Sequence, residues 1–202
     1  MPLTALPINC TLKRSSAGGD SSTDAMIAVL AEHFADAGVT VSDTVRVADL
    51  NVLPGVTSDE GEGDDWPALR QQILGHDILI FGGPIWLGQL GSIAKRVLER
   101  MDAFLDETDE AGHMPSYGKV AVAAIVGNED GAHASSAQLF QALNDLGWTI
   151  PAVAACYWVG EAMGSVDFVD LKTRPEKVEQ TARMVAANAA HLAALLKDKP
   201  YP

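Results

Sequence analysis

"IFGGPIWLGQLGSIAKRVLERMD", residues 80–102, passes from an apolar strand through a Gly-Pro-Trp loop into an amphipathic helix without a break. The strand is strand-sized, "DILIFG" at 77–82. Behind the loop, Ile93, Val97, Met101 and Leu105 recur at helical spacing. Gly82, Gly83 and Pro84 let the backbone turn, and Trp86 then sits where the strand ends. An aromatic with only a core role belongs on a strand or a helix. One at the carboxyl edge of a strand lies where open α/β sheets hold their ligands.

The same strand–helix unit recurs along the chain. Further strands read at 5–12, 44–50, 119–127 and 152–158, the last two with 77–82 being near-continuous apolar runs, as strands covered on both faces are. Helices alternate with them. Met26, Val29, Leu30 and Phe34 follow the capping run "SSTD". A short helix reads at 66–74. Leu139, Leu143 and Leu146 mark the fourth, ending near Gly147, and Val178, Val185, Leu192 and Leu195 face inward on a last one from Pro175 to Leu196. Strict alternation predicts an α/β three-layer sandwich, a parallel sheet with helices on both faces. Five strands without a sixth favour the order 2-1-3-4-5 over the six-strand dinucleotide fold. The acidic stretch "NVLPGVTSDEGEGDD" at 51–65 reads as a loop, and its Gly-Glu-Gly is no dinucleotide fingerprint. One domain is expected over residues 1–202.

Composition narrows the partners. The formal net charge is −13, against nucleic acid, whose phosphates need clustered Lys and Arg. No apolar stretch reaches bilayer length, and the first residues lack the basic, then apolar, pattern of a leader. A cytoplasmic chain without membrane contact is the expectation. Cys10 and Cys156 form no CxxC pair and fall in buried strands, and the histidines lack ligand spacing, so no metal is expected.

In a sheet of this order, the loops after strands 1, 3 and 4 converge at the carboxyl edge. The first, "TLKRSSAGGDSST" at 11–23, carries Lys13 and Arg14 and opens through Ser21, Ser22 and Thr23 into a helix. Hydroxyls and free helix amides make an anion site, or simply a flexible loop with an ordinary cap. The second presents Pro84, Ile85, Trp86, Leu87 and Gly88, an apolar surface with backbone amides on which a flat ring could lie. A subunit interface for Trp86 is the other reading, and the two are compatible. The third, "VGNEDGAH" at 126–133, brackets Asn128, Glu129 and Asp130 between Gly127 and Gly131. Its acids are ligand-facing or mere loop charges. His133 follows just inside the helix, structural or site-facing. A phosphate site under one loop and a flat-ring site between two others suit a mononucleotide with a planar head, such as FMN.

These loops are where the sequence resembles the flavodoxin-like NAD(P)H-dependent FMN reductases and flavin-dependent quinone reductases, over about residues 5–160. "CTLKR…SST" is similar to their phosphate loop, although longer, with Cys10 and Thr11 where a glycine and a serine are usual. On that resemblance Thr11, Lys13, Ser22 and Thr23 match phosphate-binding positions, Pro84 to Gly88 hold the ring, and residues 127–131 approach its pyrimidine side. Trp86, His133 and either Tyr157 or Trp158 would border the open face, where small-molecule substrates bind. The resemblance implies FMN that takes hydride from NADH or NADPH and passes electrons to a small acceptor, no protein nucleophile being required. It also implies a homodimer or homotetramer. The rivals are a flavodoxin-type electron carrier, whose acidic surface would suit basic partners, and a flavin-free interaction module.

Overall fold

The computed structural model describes residues 2–202 and builds the sheet in the predicted order. Its strands are β1 (Leu3–Asn9), β2 (Val39–Val41), β3 (Val45–Arg46), β4 (Ile78–Trp86), β5 (Gln89–Leu90), β6 (Val120–Gly127) and β7 (Ala155–Val159). They lie in the order β2-β1-β4-β6-β7, parallel throughout, with β3 also pairing with β1 and β5 antiparallel to β4. Counted by position, this is the flavodoxin-like order 2-1-3-4-5. The helices are α1 (Ser22–Asp36), α2 (Trp66–Leu74), α3 (Ser92–Met101), α4 (Ala132–Asp145) and α5 (Glu176–Asp198).

Strand alternation sorts the core into two layers. On β4, Leu79 and Phe81 join the layer with Leu69 of α2, Val97 of α3 and Leu139 of α4. Ile78 and Ile80 join the other with Leu30 of α1 and Val185 of α5. A sheet covered on both faces explains the unbroken apolar runs. Cys10 and Cys156 are fully buried as read; burial pushes both thiols up, that of Cys156 to about 12. Both are therefore protonated core residues. Among the described residues, no helix is long and apolar enough to cross a membrane, and no group of His, Cys, Asp or Glu could hold a metal ion.

Several boundaries move, for local reasons. The edge strand read at 44–50 is really Val39–Val41 with Val45–Arg46, because α1 ends at Asp36, the chain turns at Gly38, φ 79°, and Val39 pairs at once with Leu3. Residues Val47–Asp49 form a 3-10 turn instead. The first strand stops at Asn9, not 12, because the Asn9 side chain accepts the Thr11 amide at 2.8 Å and turns the chain out. The last strand starts at Ala155 rather than 152. Leu105 is half-exposed because α3 ends at Met101 and Leu105 falls in the 3-10 turn that follows; Leu195 on α5 is half-exposed too.

The opening stretch differs most. β4 continues to Trp86, so Gly82, Gly83 and Pro84 lie on a strand, not in a loop. β1 ends opposite Gly82, leaving only β6 beside Pro84, and a proline without an amide hydrogen is tolerated there. Ile85 and Trp86 then pair with Leu90 and Gln89 in a hairpin whose tip, Leu87 and Gly88, has φ of 52° and 75°. Two consecutive positive φ angles are the signature of the turn that best fits strand twist.

Candidate functional site

Besides a cavity of about 390 Å³ along residues 160–166, two cavities mark the surface. One of about 440 Å³, lined by residues such as Glu107, His113, Tyr117 and Tyr201, lies beside Gly118, at the amino end of β6. The other, about 300 Å³, lies at the carboxyl edge between the loops after β1, β4 and β6. The second is the candidate site, because it sits at the switch point of the strand order and collects the polar groups.

Its polar end is built on Asn9, which is fully buried at the end of β1. The Asn9 Oδ1 accepts the Thr11 amide, and its Nδ2 donates to Ser21 Oγ at 3.2 Å and to Asp24 Oδ1 at 2.5 Å. Arg46 of the edge strand pairs with the other Asp24 oxygen. One side chain thus ties the loop's entry to its exit. Ser21 caps α1 by accepting the Asp24 amide at 3.3 Å. Ser22 Oγ accepts the Val169 amide at 3.2 Å, and Thr11 Oγ1 accepts the Lys13 amide at 3.4 Å. A hydroxyl that accepts keeps its O–H to donate. Thr11, Ser21, Ser22 and Thr23 therefore bring four O–H donors to one end of the cavity, with the Lys13 ammonium and the amino end of α1. That end suits a dianion.

The other end is apolar. Pro84, Ile85 and half-exposed Trp86 form one side, and Trp158 with Phe168 forms another, their ring centroids 5.6 Å apart. The hairpin and the third loop touch backbone to backbone: a Cβ on Gly131 would meet Gly88 Cα at 2.6 Å. Glu129 locks them together, its two oxygens accepting the Leu87 and Gly88 amides at 3.0 and 3.1 Å. Those two amides, read as free for a ring, are taken by the protein itself. In the third loop the Gly131 amide is likewise taken, by Asp130 at 2.7 Å, whereas Asn128, Glu129 and Asp130 keep amides without an acceptor among the described residues.

Of the residues singled out by sequence, Thr11, Lys13, Ser21, Ser22 and Thr23 line the cavity, as do Pro84, Ile85, Trp86, Gly127, Asn128 and Glu129. Leu87, Gly88, Asp130 and Gly131 support it from behind and do not line it. Arg14 lines a separate cavity next door. His133 and Tyr157 pair with each other, Nε2 to hydroxyl 2.9 Å, outside the lining, and Trp158 is the aromatic of β7 that enters it. The segment after β7 returns over the site: Gly160 and Met163 amides donate to the carbonyls of Gly127 and Asn128, and the Asn128 side chain holds Gly164 and Asp167. Asp167 and Phe168 line the cavity unforeseen. The pattern Asp167-Phe-Val-Asp170, a capping box on a short 3-10 turn, was the available signal.

A family model described as NADPH-dependent FMN reductase matches residues 11–164, all three loops included. The chain is 32% identical over its whole length to 8-demethyl-8-aminoriboflavin-5'-phosphate synthase of Streptomyces davaonensis, spanning 81% of that protein. It is 37% identical, over 96% of its length, to a Mycobacterium bovis protein named divalent metal cation transporter MntH, of which it spans only 29%. Among solved structures it resembles RosB, determined with bound 8-demethyl-8-formylriboflavin-5'-phosphate. The TM-score there is 0.87 at 32% identity, covering 98% of this chain and 82% of RosB.

Proposed function

Because the chain belongs to the NADPH-dependent FMN reductase family, we propose that it oxidises NADH or NADPH through bound FMN and passes the electrons to a small acceptor such as a flavin or quinone. The observation that carries this reading is one cavity with four hydroxyl donors and Lys13 at one end and Trp86, Trp158 and Phe168 at the other. A phosphate-tailed flat heterocycle fits that polarity. When bound, FMN supplies hydride and electron transfer, and the protein supplies position and electrostatics. Lys13 and the hydroxyls hold the phosphate. Ile85 and Trp86 fix the ring's place on the hairpin that Glu129 braces. The free amides of Asn128 and Glu129 are placed to stabilise negative charge on the neighbouring ring edge, as preorganised donors do. Trp86, Leu87 and Met163 leave apolar surface around the mouth, consistent with a homodimer or homotetramer.

Purified protein is expected to take up a single equivalent of FMN with quenching of flavin fluorescence, and to oxidise NADH or NADPH without a partner protein. Titration that leaves the flavin signal unchanged removes the reading. Oxidation only with an added partner makes the protein a carrier.

A second reading has its own support, the whole-length identity to a protein named for altering a riboflavin phosphate. Here the flavin phosphate is the substrate and its ring is changed at the 8-position. Mass analysis of FMN after aerobic incubation with the protein and an amino donor decides: an unchanged mass retires it.

Trp86→Phe tests the ring's place. Trp86 is 52% exposed on the hairpin, so the change keeps the fold. It should remove much of the FMN-dependent quenching of tryptophan fluorescence, against the remaining Trp66, Trp148 and Trp158. Unchanged quenching with loss of an oligomer makes Trp86 an interface anchor instead.

A further inference from the structure

Beside the flavin cavity lies a smaller one, of about 180 Å³, that the proposed function leaves without a role. Its walls are Leu12 and Arg14 from the loop after β1, Val47 and Val52 from the edge segment, and Ile93 and Arg96 from α3. Its charged lining consists of two arginines, in a chain of net charge −13. The flavin cavity, by contrast, includes Glu129 and Asp167, and the cavity at the other sheet edge includes Glu107 and Asp109. The Arg14 guanidinium has no partner among the described residues. Arg96 donates only Nη1, to the Val52 carbonyl at 3.1 Å, which leaves most of its fork free. Nor is Arg14 loosely placed. The next residue, Ser15, is tied through its amide and hydroxyl to both oxygens of Asp49, a carboxylate outside the lining that feels the Arg14 charge without pairing with it.

Size and position indicate what such a cavity takes. Complete small-molecule sites occupy roughly 300–1,000 Å³, so this one holds part of a ligand. Leu12 is a wall of both cavities, so a ligand seated here is one side chain away from the flavin site. Two guanidinium groups over an apolar floor suit phosphate attached to a sugar or flat base, since Arg forks pair with phosphate in two-bond geometry. We infer that this cavity seats the phosphate-bearing end of the nicotinamide donor, while the donor's ring crosses Leu12 to the open side of the flavin site. The inference rests on the donor reading in the proposed function.

The test compares native protein with Arg14→Gln, Arg96→Gln and the double variant, each loaded with FMN. NADPH and 1-benzyl-1,4-dihydronicotinamide, a donor without phosphate, are mixed with each anaerobically, and bleaching of the oxidised flavin is followed. The double variant should need about tenfold more NADPH for half-saturation, the loss of a single charge-assisted bond, at an unchanged limiting rate. Its reaction with the benzyl donor and its FMN affinity should not change. Calorimetry with adenosine 2',5'-bisphosphate, which reads binding without turnover, should show the same weakening. Arg14→Gln, at an exposed residue with no partner, should give a smaller loss of the same kind and keeps the test alive if Arg96→Gln unfolds. Unaltered NADPH saturation overturns the inference. So does an equal slowing of the benzyl donor, or weakened FMN binding, which would put the flavin phosphate here. Native protein that ignores both donors yet binds the bisphosphate through Arg14 and Arg96 overturns the donor reading and keeps an anion seat. Native protein that does not bind the bisphosphate overturns the seat.

Discussion

Lys13→Ala combined with Thr23→Val should weaken FMN binding by about a hundredfold to ten-thousandfold and riboflavin binding by little. Each change removes one donor to a doubly charged phosphate, a bond worth roughly 1.5–3 kcal/mol. Two such losses, about 3–6 kcal/mol, span that range of affinity. Lys13 is exposed, so its removal leaves the core alone. Thr23 is nearly buried, and its methyl stands where a Cβ on Gly82 would come within 2.9 Å. Valine preserves that packing where alanine would open it. Riboflavin shares the ring and the ribityl chain but lacks the phosphate, so parallel flavin-fluorescence titrations separate anion recognition from general damage. Equal losses for both flavins would move the phosphate to another part of the chain. Loss in neither would leave Thr11, Ser21 and Ser22 to hold it unaided.

The site was legible where its chemistry is local. Hydroxyls before a helix, and an aromatic after a strand, carry their meaning in adjacent residues, and Ser21, Ser22, Thr23 and Trp86 line one cavity. What was not legible is where a side chain reaches across the chain. Glu129 is indistinguishable in sequence from Asp130, yet only Glu129 grips the hairpin, 41 and 42 residues back. Arg14 adjoins Lys13 in sequence and diverges from it in space, because Ser15 is drawn to Asp49, 34 residues on. Asp167 and Phe168 enter only because the segment after β7 folds back onto Asn128.

The fold was legible for the same kind of reason. Apolar runs and helical stripes repeat within ten or twenty residues, and their alternation is enough for the sheet order. The edge misled because its alternation, Val45, Val47, is carried past the sheet into a turn, where Val47 and Ala48 are buried without pairing. The 51–65 stretch is the loop it reads as, with one feature hidden. Its Gly, Pro and acidic residues mark a surface loop, which it is, but one held from below by a buried charge. Arg100 was hidden because, in the last turn of α3 beside the read stripe of Val97 and Met101, it looks like a solvated cation favouring the helix end.

Arg100→Met should therefore cost about 3–5 kcal/mol, the range found when one partner of a buried ion pair is removed. The Arg100 and Asp64 side chains are both without solvent exposure and 2.8 Å apart. The guanidinium also donates to the Leu53 carbonyl at 2.9 Å and to that of Thr57 at 2.9 and 3.2 Å, and lies 5.7 Å from the Trp66 ring. Methionine fills similar space but satisfies none of these groups. Burial raises the Asp64 carboxyl, yet Arg100 and the amides of Glu60, Trp66 and Leu53 outweigh it and hold it at about 2. A carboxyl depressed in the fold stabilises above its unfolded value, about 3.9, and that contribution is lost as pH falls from there towards 2. In Arg100→Met the three amides are left to oppose burial without the guanidinium, so the carboxyl is depressed less than in the native fold and the variant loses less when it is protonated. The gap between native and variant, measured by denaturant unfolding, should thus be widest near neutral pH and narrow below about pH 4. Asp64→Leu added to Arg100→Met should recover part of the loss, since the pair is then absent rather than broken. A deficit that is the same at pH 3 and pH 7 would mean that Arg100 acts by filling space, with the loop carbonyls as its real partners.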